Sequence, residues 1–311
     1  MLMNLTGLAL QRIHRPTTLQ LRPSEEIFKL HFLQACLTLY LLAVLSVKVS
    51  ATYKNSDIKT AIVRPETLGI VPRKTRHTVA FTLTKPYNIF LQVNGNVFDG
   101  LHLFTNQIED AVPSKDSPDV IYYGPGLHKI SGNVDVASGQ TVYVAGGAVV
   151  TTGGFNLPNT TNISIRGRGV LLASSRAEIP VAHSRNITLE GFIGINVLPR
   201  TYAAKNVVIK KVRAISSVQW GDGIDIFCSN NILMDHLFLR TSDDSVAIYN
   251  RRWQWYGGTT NITLQNSALW AGVAHPINIG THGNPESPET TDGVLIRNVD
   301  ILDHREGQIL F

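Results

Sequence analysis

Asn186-Ile187-Thr188-Leu189 is one of six occurrences of the same short phrase, in which an asparagine or glycine precedes alternating apolar positions. The other five are Asn162-Ile163-Ser164-Ile165, Asn206-Val207-Val208-Ile209, Asn231-Ile232-Leu233-Met234, Asn261-Ile262-Thr263-Leu264 and Gly293-Val294-Leu295-Ile296. Successive phrases start 24, 20, 25, 30 and 32 residues apart, which is the spacing of a solenoid repeat. They are short, rich in β-branched residues and separated by turn residues, so they predict strands.

Strands that return at this spacing predict an all-β chain built around a parallel β-helix, a solenoid. Each coil would bury its inward side chains against the coils above and below, so stability would grow with stacking. A β-sandwich is the alternative, although regular returns of one phrase are rare in sandwiches. Beyond residue 60, no stretch of twelve residues has a convincing helical stripe.

Three aspartates lie at the ends of two consecutive repeats. Asp222 opens Asp-Gly-Ile-Asp-Ile, and Asp243 and Asp244 open Asp-Asp-Ser-Val-Ala-Ile, so that Asp243 follows Asp222 by 21 residues. That distance is one coil of the local repeat, so these side chains should stack about 4.8 Å apart. His275 follows Asp244 by 31 residues, one coil plus an insertion, which predicts an imidazole one layer further along.

These residue types indicate hydrolysis of a glycosidic bond. Inverting hydrolysis uses one protonated carboxyl group as the acid and a second carboxylate to activate water, roughly 6.5–9.5 Å away. Crowding of like charges raises at least one pKa, which keeps an acid protonated near neutral or mildly acidic pH. Strand alternation favours a structural place for Asp225, and His282 has no matched motif position.

The flanking residues resemble a known family. Asp-Gly-Ile-Asp-Ile, Asp-Asp-Ser-Val-Ala-Ile and His-Pro-Ile-Asn-Ile-Gly resemble the Asn-Thr-Asp, Asp-Asp and Gly-His-Gly motifs of the polygalacturonases, glycoside hydrolase family 28, in the pectin-lyase-like superfamily. The resemblance extends from about residue 140 to the end and implies a right-handed β-helix. It also implies that Asp243 is the general acid, that Asp222 and Asp244 hold and deprotonate the water, and that His275 supports the protonation of the acid.

The chain departs from that family's pattern at three places. Trp220-Gly221 replaces Asn-Thr, Ala274 and Pro276 replace both glycines around the histidine, and residues 307–311 offer no Arg-Ile-Lys. The neutral α-glucan hydrolases of family 49, dextranases and isopullulanases, therefore remain an alternative, as does a catalytically inactive carbohydrate-binding β-helix. A β-helical lyase that holds calcium on the three aspartates is a further alternative, and calcium-dependent activity would distinguish it.

An insertion at residues 251–260 lies beside the aspartates in sequence. Its aromatic and basic residues are predicted to bind substrate, because aromatic rings stack on sugars and arginines bind carboxylates: Arg251, Arg252, Trp253, Trp255 and Tyr256. Arginines here could replace the missing Arg-Ile-Lys cations. The alternative is an aromatic loop that packs against the solenoid wall.

Composition limits the partners. The chain has 311 residues, of which 43% are hydrophobic and 16% charged, and its formal net charge is +5. No dense run of lysine or arginine is present, so nucleic acid is not expected, whereas an acidic polysaccharide would be mildly attracted. We expect a polysaccharide substrate, a monomer, no cofactor and no metal site.

Three segments are predicted. Residues 1–51 read as a signal peptide or signal anchor with an upstream extension, because the apolar run 32–47 is followed by small residues at 49 and 51. Cleavage there predicts a secreted, extracellular protein without stable membrane association. Residues 52–135 predict a small β-rich cap domain, and 136–311 the catalytic β-helix. The apolar end at Phe311, without a polar cap, predicts a solenoid truncated at its C-terminus.

Overall fold

The computed structural model describes residues 17–22, 28–32, 36–41, 46–54, 56–109, 111–306 and 308–310. The described residues contain strands and one short 3₁₀ helix, and no α-helix among them is long and apolar enough to cross a membrane. The chain divides near residue 112 into two compact units. The all-β class predicted from the sequence is confirmed.

The first unit contains two sheets. Its strands are β1 (Thr17–Arg22), β2 (Phe28–Phe32), β3 (Cys36–Leu41), β4 (Val47–Thr52), β5 (Ala61–Arg64), β6 (Arg73–Lys74), β7 (Thr78–Leu83), β8 (Asn88–Val93) and β9 (Asn96–Gln107), with the 3₁₀ helix at Glu66–Leu68. One sheet is antiparallel, in the order β2-β1-β4-β7-β6, and the other has the order β3-β9-β8-β5. Alternating residues of β4, β7, β8 and β9 bury one apolar core, which includes Val49, Leu83, Ile89 and Leu103.

Much of the segment predicted to be a signal peptide or anchor, residues 1–51, lies outside the described residues. Its described parts are strands. β4 is hydrogen-bonded to β1 on one side and to β7 on the other, and Val49 within it is completely buried.

The second unit is the parallel β-helix. Its strands are β10 (Val120–Tyr123), β11 (Gly126–Lys129), β12 (Asn133–Asp135), β13 (Thr141–Val144), β14 (Ala148–Thr151), β15 (Gly154–Pro158), β16 (Thr161–Gly167), β17 (Val170–Ala182), β18 (Arg185–Glu190), β19 (Ile193–Tyr202), β20 (Lys205–Lys210), β21 (Arg213–Ile215), β22 (Ile224–Phe227), β23 (Asn230–Asp235), β24 (Phe238–Thr241), β25 (Val246–Tyr249), β26 (Arg251–Arg252), β27 (Trp255–Tyr256), β28 (Thr259–Ala271), β29 (Ile277–Ile279) and β30 (Thr291–Asp303). All except the β26–β27 hairpin pair in parallel within one continuous sheet. The predicted parallel solenoid is confirmed.

The coils have three parallel ladders of strands. The six phrases lie in one of them, in β16, β18, β20, β23, β28 and β30, and their first apolar residues are in register from Ile163 to Val294. These residues enter the apolar core that runs through the coils. The phrase repeats because each coil must present an apolar side chain at the same point.

The asparagines that open the phrases form a hydrogen-bonded ladder. Each amide nitrogen donates to the side-chain oxygen one coil earlier, at 3.1, 3.0, 2.9 and 2.9 Å, along Asn162, Asn186, Asn206, Asn231 and Asn261. All five have left-handed backbone angles, with φ between 56° and 59°. Asparagine tolerates this conformation better than other side chains with a Cβ, which explains its place at the corner.

The solenoid starts earlier than predicted. β10, β11 and β12 pair with β13, β14 and β15 as a first coil, so the solenoid begins at Val120 and not at residue 136. The predicted cap of residues 52–135 thus includes this coil. The first coil lacks the asparagine phrase, so the repeat spacing does not mark it, whereas its strands pair with those of the neighbouring coil.

Candidate active site

The predicted acids stack on neighbouring coils. The Gly223 amide donates to the carbonyl of Asp244 at 2.8 Å, and the Ser245 amide donates to the carbonyl of His275 at 3.0 Å. Asp222, Asp244 and His275 therefore occupy equivalent points just before β22, β25 and β29. The structure brings them together as the repeat spacing predicts, because one coil of backbone separates each from the next.

Three carboxylates form the centre of the site. Carboxylate oxygens of Asp222, Asp243 and Asp244 lie within 4.8 Å of one another. Asp243 is partly exposed and Asp244 is buried. The Asp244 amide donates to Oδ1 of Asp243 at 2.9 Å, and Thr241 Oγ1 donates to the Asp243 carbonyl at 2.7 Å. The turn before β25 thus presents one aspartate to solvent and directs the other inward.

Asp244 is fixed from both sides. Its Oδ2 accepts hydrogen bonds from Asn278 Nδ2 at 2.7 Å and from the Tyr249 hydroxyl at 3.2 Å. Its Oδ1 accepts one from the His275 amide at 2.8 Å, and Nδ1 of the same histidine lies 3.4 Å away. These contacts leave Asp244 a single orientation toward Asp222 and Asp243. Burial raises the pKa of Tyr249, and the charges of Asp244, Asp225 and Asp222 raise it further, so the tyrosine stays a hydrogen-bond donor.

Asp222 contacts a buried cation. Arg200 Nη2 lies 2.7 Å from its Oδ2, and the arginine side chain is 3% exposed. Burial raises the pKa of Asp222 to about 6, with Arg200 opposing the rise and Asp243 and Asp244 adding to it. This carboxyl group therefore gains and loses its proton close to neutral pH, which is where a general base is effective.

Arg200 also binds two further acids. Its Nη2 lies 2.8 Å from Asp225 Oδ2, and its Nη1 lies 3.1 Å from Glu178 Oε1. Burial opposes the charge of Arg200, but Asp225, Glu178 and Asp222 outweigh it, so the pKa of the arginine is raised. Three carboxyl groups share one cation. We refer to Arg200, Asp222, Asp225 and Glu178 as the Arg200 network.

Asp225 lies beside the site and acts on it, in addition to its place in the strand. Ile224 and Ile226 enter the apolar core, so alternation turns Asp225 to the outer face beside Asp222. It is 1% exposed, and burial raises its pKa well above the usual value. Asp225 has the structural role that the sequence predicts, because it forms an ion pair with Arg200. Its charge also acts on the site.

Asp243 has the properties of an acid. Burial raises its pKa, the Asp244 amide lowers it, and the Asp244 charge raises it again. A raised pKa favours the protonated form of a partly exposed carboxyl group, which can then donate to a bound molecule.

An aromatic strip continues from the acids along the outer face. Tyr202, Phe227 and Tyr249 lie on successive coils, with ring centroids 4.9 Å apart for the first pair and 5.4 Å for the second. His282 packs edge-on against Tyr249 at 4.8 Å, and burial lowers its pKa. His282 thus borders the site, although no motif position predicts it.

All five insertion residues lie in the hairpin of β26 and β27, four on its strands and Trp253 in its turn. Trp255 stacks on Tyr202 at 4.8 Å and therefore packs against the solenoid wall, as the alternative expected. Arg252 lies over Trp253 at 4.5 Å and over Tyr249 at 5.9 Å, which brings its charge beside the acids. Trp253 is 58% exposed.

The other two insertion residues, Arg251 and Tyr256, contact each other. Arg251 is 3.6 Å from Glu289 and lies over Tyr256, which is 68% exposed. Arg252 and Trp253 are therefore the members of the predicted binding set that border the site.

Sequence reasoning missed Arg200, Tyr249 and Asn278. The register of the strands is the feature that marks these three residues. Arg200 pairs with Asp225 on the next coil, and Asn278 pairs with Ala247, which lies two residues before Tyr249. A polar residue that alternates with core residues on a coil next to the acids marks such a position.

No family model matches. A probable polygalacturonase of Arabidopsis thaliana is 29% identical over 97 residues, which is 31% of this chain and 19% of the plant protein. The chain thus spans about a fifth of the length of that relative. The structure of the Yersinia enterocolitica family 28 exopolygalacturonase aligns with a TM-score of 0.48 and 13% identity, over 82% of this chain and 71% of that one. The resemblance to polygalacturonases predicted from the motifs is confirmed by the plant relative.

Proposed function

We propose that this protein is a glycoside hydrolase of the polygalacturonase type, which cleaves an α-linked acidic polysaccharide outside the cell as a monomer. The observation that supports this best is the cluster of Asp222, Asp243 and Asp244, with carboxylate oxygens within 4.8 Å of one another. The match to a plant polygalacturonase agrees with it.

In this proposal the acids have separate tasks. Asp243, whose pKa is raised by burial, donates its proton to the glycosidic oxygen as the bond from that oxygen to the anomeric carbon breaks. A water held between Asp222 and Asp244 attacks the anomeric carbon and gives up a proton to one of these carboxylates. Asp222 is suited to accept it, because its pKa is about 6.

Asp244 and His275 complete the constellation. Asp244 orients the water, since Asn278, Tyr249 and the His275 backbone fix both of its oxygens. The role assigned to His275 is to support the protonation of the acid, and the proximity of its Nδ1 to Asp244 Oδ1, 3.4 Å, supports this assignment. Buried and hydrogen-bonded groups of this kind hold a reacting geometry without reorganisation during the reaction.

We infer inversion at the anomeric carbon from the water-holding pair of carboxylates. The oxygens of the cluster lie within 4.8 Å of one another, nearer than the roughly 6.5–9.5 Å expected from the sequence for an inverting pair and close to the roughly 5–5.5 Å of retaining enzymes, so the spacing by itself does not favour inversion. Proton NMR of the first product tests this point directly. An initial β-anomer from an α-linked substrate supports inversion, and an initial α-anomer contradicts it.

Binding of the substrate is assigned to the predicted insertion set. Arg252 and Trp253 supply a cation and an exposed indole beside the acids. A guanidinium pairs with carboxylates of the sugar, and an indole packs on its C–H surface. Arg251 and Tyr256 extend the same surface, whereas Trp255 supports it from below.

A neutral α-glucan is the second candidate substrate. The feature that favours it is the exposed indole of Trp253, which does not discriminate charge, together with the pairing of Arg251 to Glu289 at 3.6 Å. A calcium-dependent lyase is the third reading, since the three aspartates offer oxygen ligands within 4.8 Å of one another.

Release of reducing sugar tests the proposal. The full chain, its Asp243→Asn variant and the matched control Asp116→Asn are assayed on polygalacturonan, dextran and pullulan, once in chelator and once with added calcium. Asp116 is an exposed aspartate far from the acids in sequence. Activity on polygalacturonan that is lost only in Asp243→Asn supports the proposal. Activity on dextran or pullulan alone supports the neutral substrate. An unsaturated product that requires calcium supports the lyase, and a folded chain without activity contradicts the proposal.

A further inference from the structure

Trp220 combines two features that rarely occur together. Its side chain is 60% exposed, and its backbone is left-handed with φ of 56°. A bulky side chain disfavours this conformation, because its Cβ crowds the backbone. Such residues persist where the surroundings hold them, and they concentrate at ligand sites.

The loop that carries Trp220 is held on several sides. Ser216 Oγ donates to the Gly221 carbonyl, and the Ser242 amide donates to Ser216 Oγ at 3.0 Å. Ser242 Oγ donates to the Val218 carbonyl at 2.6 Å. A Cβ at Gly221 would lie 2.8 Å from the Val218 carbonyl oxygen, so the turn also requires glycine there. These contacts fix the backbone while leaving the indole in solvent.

The indole takes no part in the hydrogen bonds that hold this loop. The backbone carbonyl of Trp220 accepts a hydrogen bond of 3.5 Å from Arg176 Nη1. A smaller side chain at position 220 would be compatible with the same constrained loop. Asparagine in particular adopts left-handed angles readily, as the ladder of this same solenoid shows.

The position of Trp220 points to the ligand. It lies two residues before Asp222, ahead of the start of β22, where the carboxylates gather. Trp253, also exposed, follows β25 on the neighbouring coil. β22 and β25 each have four residues, which is a length of about 13 Å at 3.3 Å per residue. The exposed indoles of Trp220 and Trp253 therefore border opposite ends of the surface that these two strands form.

We infer that Trp220 is a sugar-stacking residue, which packs its indole on the pyranose face of a unit next to the bond that is cleaved. This inference rests on the proposed function and adds a specificity-determining contact to it. The indole offers a flat apolar face beside acids that would bind the polar edges of the sugar. Stacking of this kind selects for ring shape and leaves recognition of charge to Arg252.

Binding to a form that does not cleave tests the inference. Asp243→Asn serves as the parent, and its affinity for hexagalacturonate, isomaltohexaose and maltohexaose is measured by calorimetry. Trp220→Asn removes the indole and relieves the left-handed backbone, so we expect an unchanged or higher Tm together with at least tenfold weaker binding of the preferred probe. Trp220→Phe, which keeps an aromatic face, should lose less. Phe98→Ala, an exposed aromatic residue of the other unit, is the control.

The outcomes separate this inference from the proposed function. Binding by Trp220→Asn within twofold of the parent overturns the inference, even if the wild-type chain hydrolyses polygalacturonan. Weakened binding in Trp220→Asn supports it, even if the wild-type chain hydrolyses nothing. Absence of binding by the parent to all three probes contradicts both.

Discussion

The Arg200 network gives the sharpest quantitative expectation. Arg200→Met keeps the length and apolar stem of the side chain but removes the cation that lies 2.7 Å from Asp222, 2.8 Å from Asp225 and 3.1 Å from Glu178. Arg200 is 3% exposed and Asp225 is 1% exposed, so solvent does not replace the lost contacts. Removing one partner of a buried ion pair costs about 3–5 kcal/mol. For a unit of this size, we expect the Tm to fall by about 10 °C.

The loss should depend on pH. The pKa of Asp222 is raised from 3.8 to about 6, so its contribution to stability is fully present below 3.8 and is lost as the pH rises through about 6. Arg200 offsets this loss by lowering the pKa of both Asp222 and Asp225. Without the cation, the two groups hold their protons to higher pH. The difference in stability between wild type and Arg200→Met should therefore be small at about pH 4 and largest above about pH 7.

Tryptophan fluorescence isolates the relevant unit, because all four tryptophans of the chain lie in the solenoid. Urea unfolding of wild type and Arg200→Met is followed at the two pH values. Arg176→Met is the matched control, since Arg176 pairs with Glu178 at 3.3 Å from a side chain that is 36% exposed, and surface pairs contribute about 0–1 kcal/mol. An equal loss at both pH values, or a loss no greater than that of the control, would refute the reasoning.

Three further expectations follow from single features. The acid limb of the pH profile of hydrolysis should have its midpoint near the pKa of Asp222, about 6, with activity rising as Asp222 ionises, and a profile without that limb contradicts its role as base. Arg252→Gln should raise KM about tenfold for an acidic polymer and leave KM for a neutral one unchanged, measured by initial rates; equal effects on both rule out recognition of charge. Asn206→Ala removes ladder hydrogen bonds of 3.0 and 2.9 Å and should lower the free energy of unfolding by about 1–3 kcal/mol, whereas Asn206→Gly, which tolerates the backbone angle, should lose less in the same urea titration.

The buried charges and the acid cluster act as one electrostatic unit. Asp222 belongs to both, because it contacts Arg200 and shares the cluster with Asp243 and Asp244. A change of protonation anywhere in this unit shifts the others, so its members titrate together. The pKa of Asp222 reaches about 6 although Arg200 opposes the rise, and burial also raises the pKa of Asp243, so the two carboxyl groups share the protons of this unit.

The repeated phrase was sufficient to predict the solenoid and the stacking of the acids. A parallel coil advances by one strand spacing, so residues separated by one repeat must lie on neighbouring coils. The separations along the sequence, from Asp222 to Asp243 and from Asp244 to His275, therefore predicted that these side chains lie on neighbouring coils. The first coil at residues 120–135 was missed because it lacks the phrase and is recognised by its pairing with β13 to β15.

The sequence by itself determined the repeat, the ladder of strands and the set of acids, because each follows from local alternation and from spacing along the chain. Only the tertiary structure decided which partners surround those acids. Arg200, Tyr249 and Asn278 lie on different coils, and the depth at which each is buried sets the pKa of Asp222 and the orientation of Asp244. Burial and charge coupling depend on every neighbouring coil at once, so they arise when the coils stack and cannot be read from one repeat.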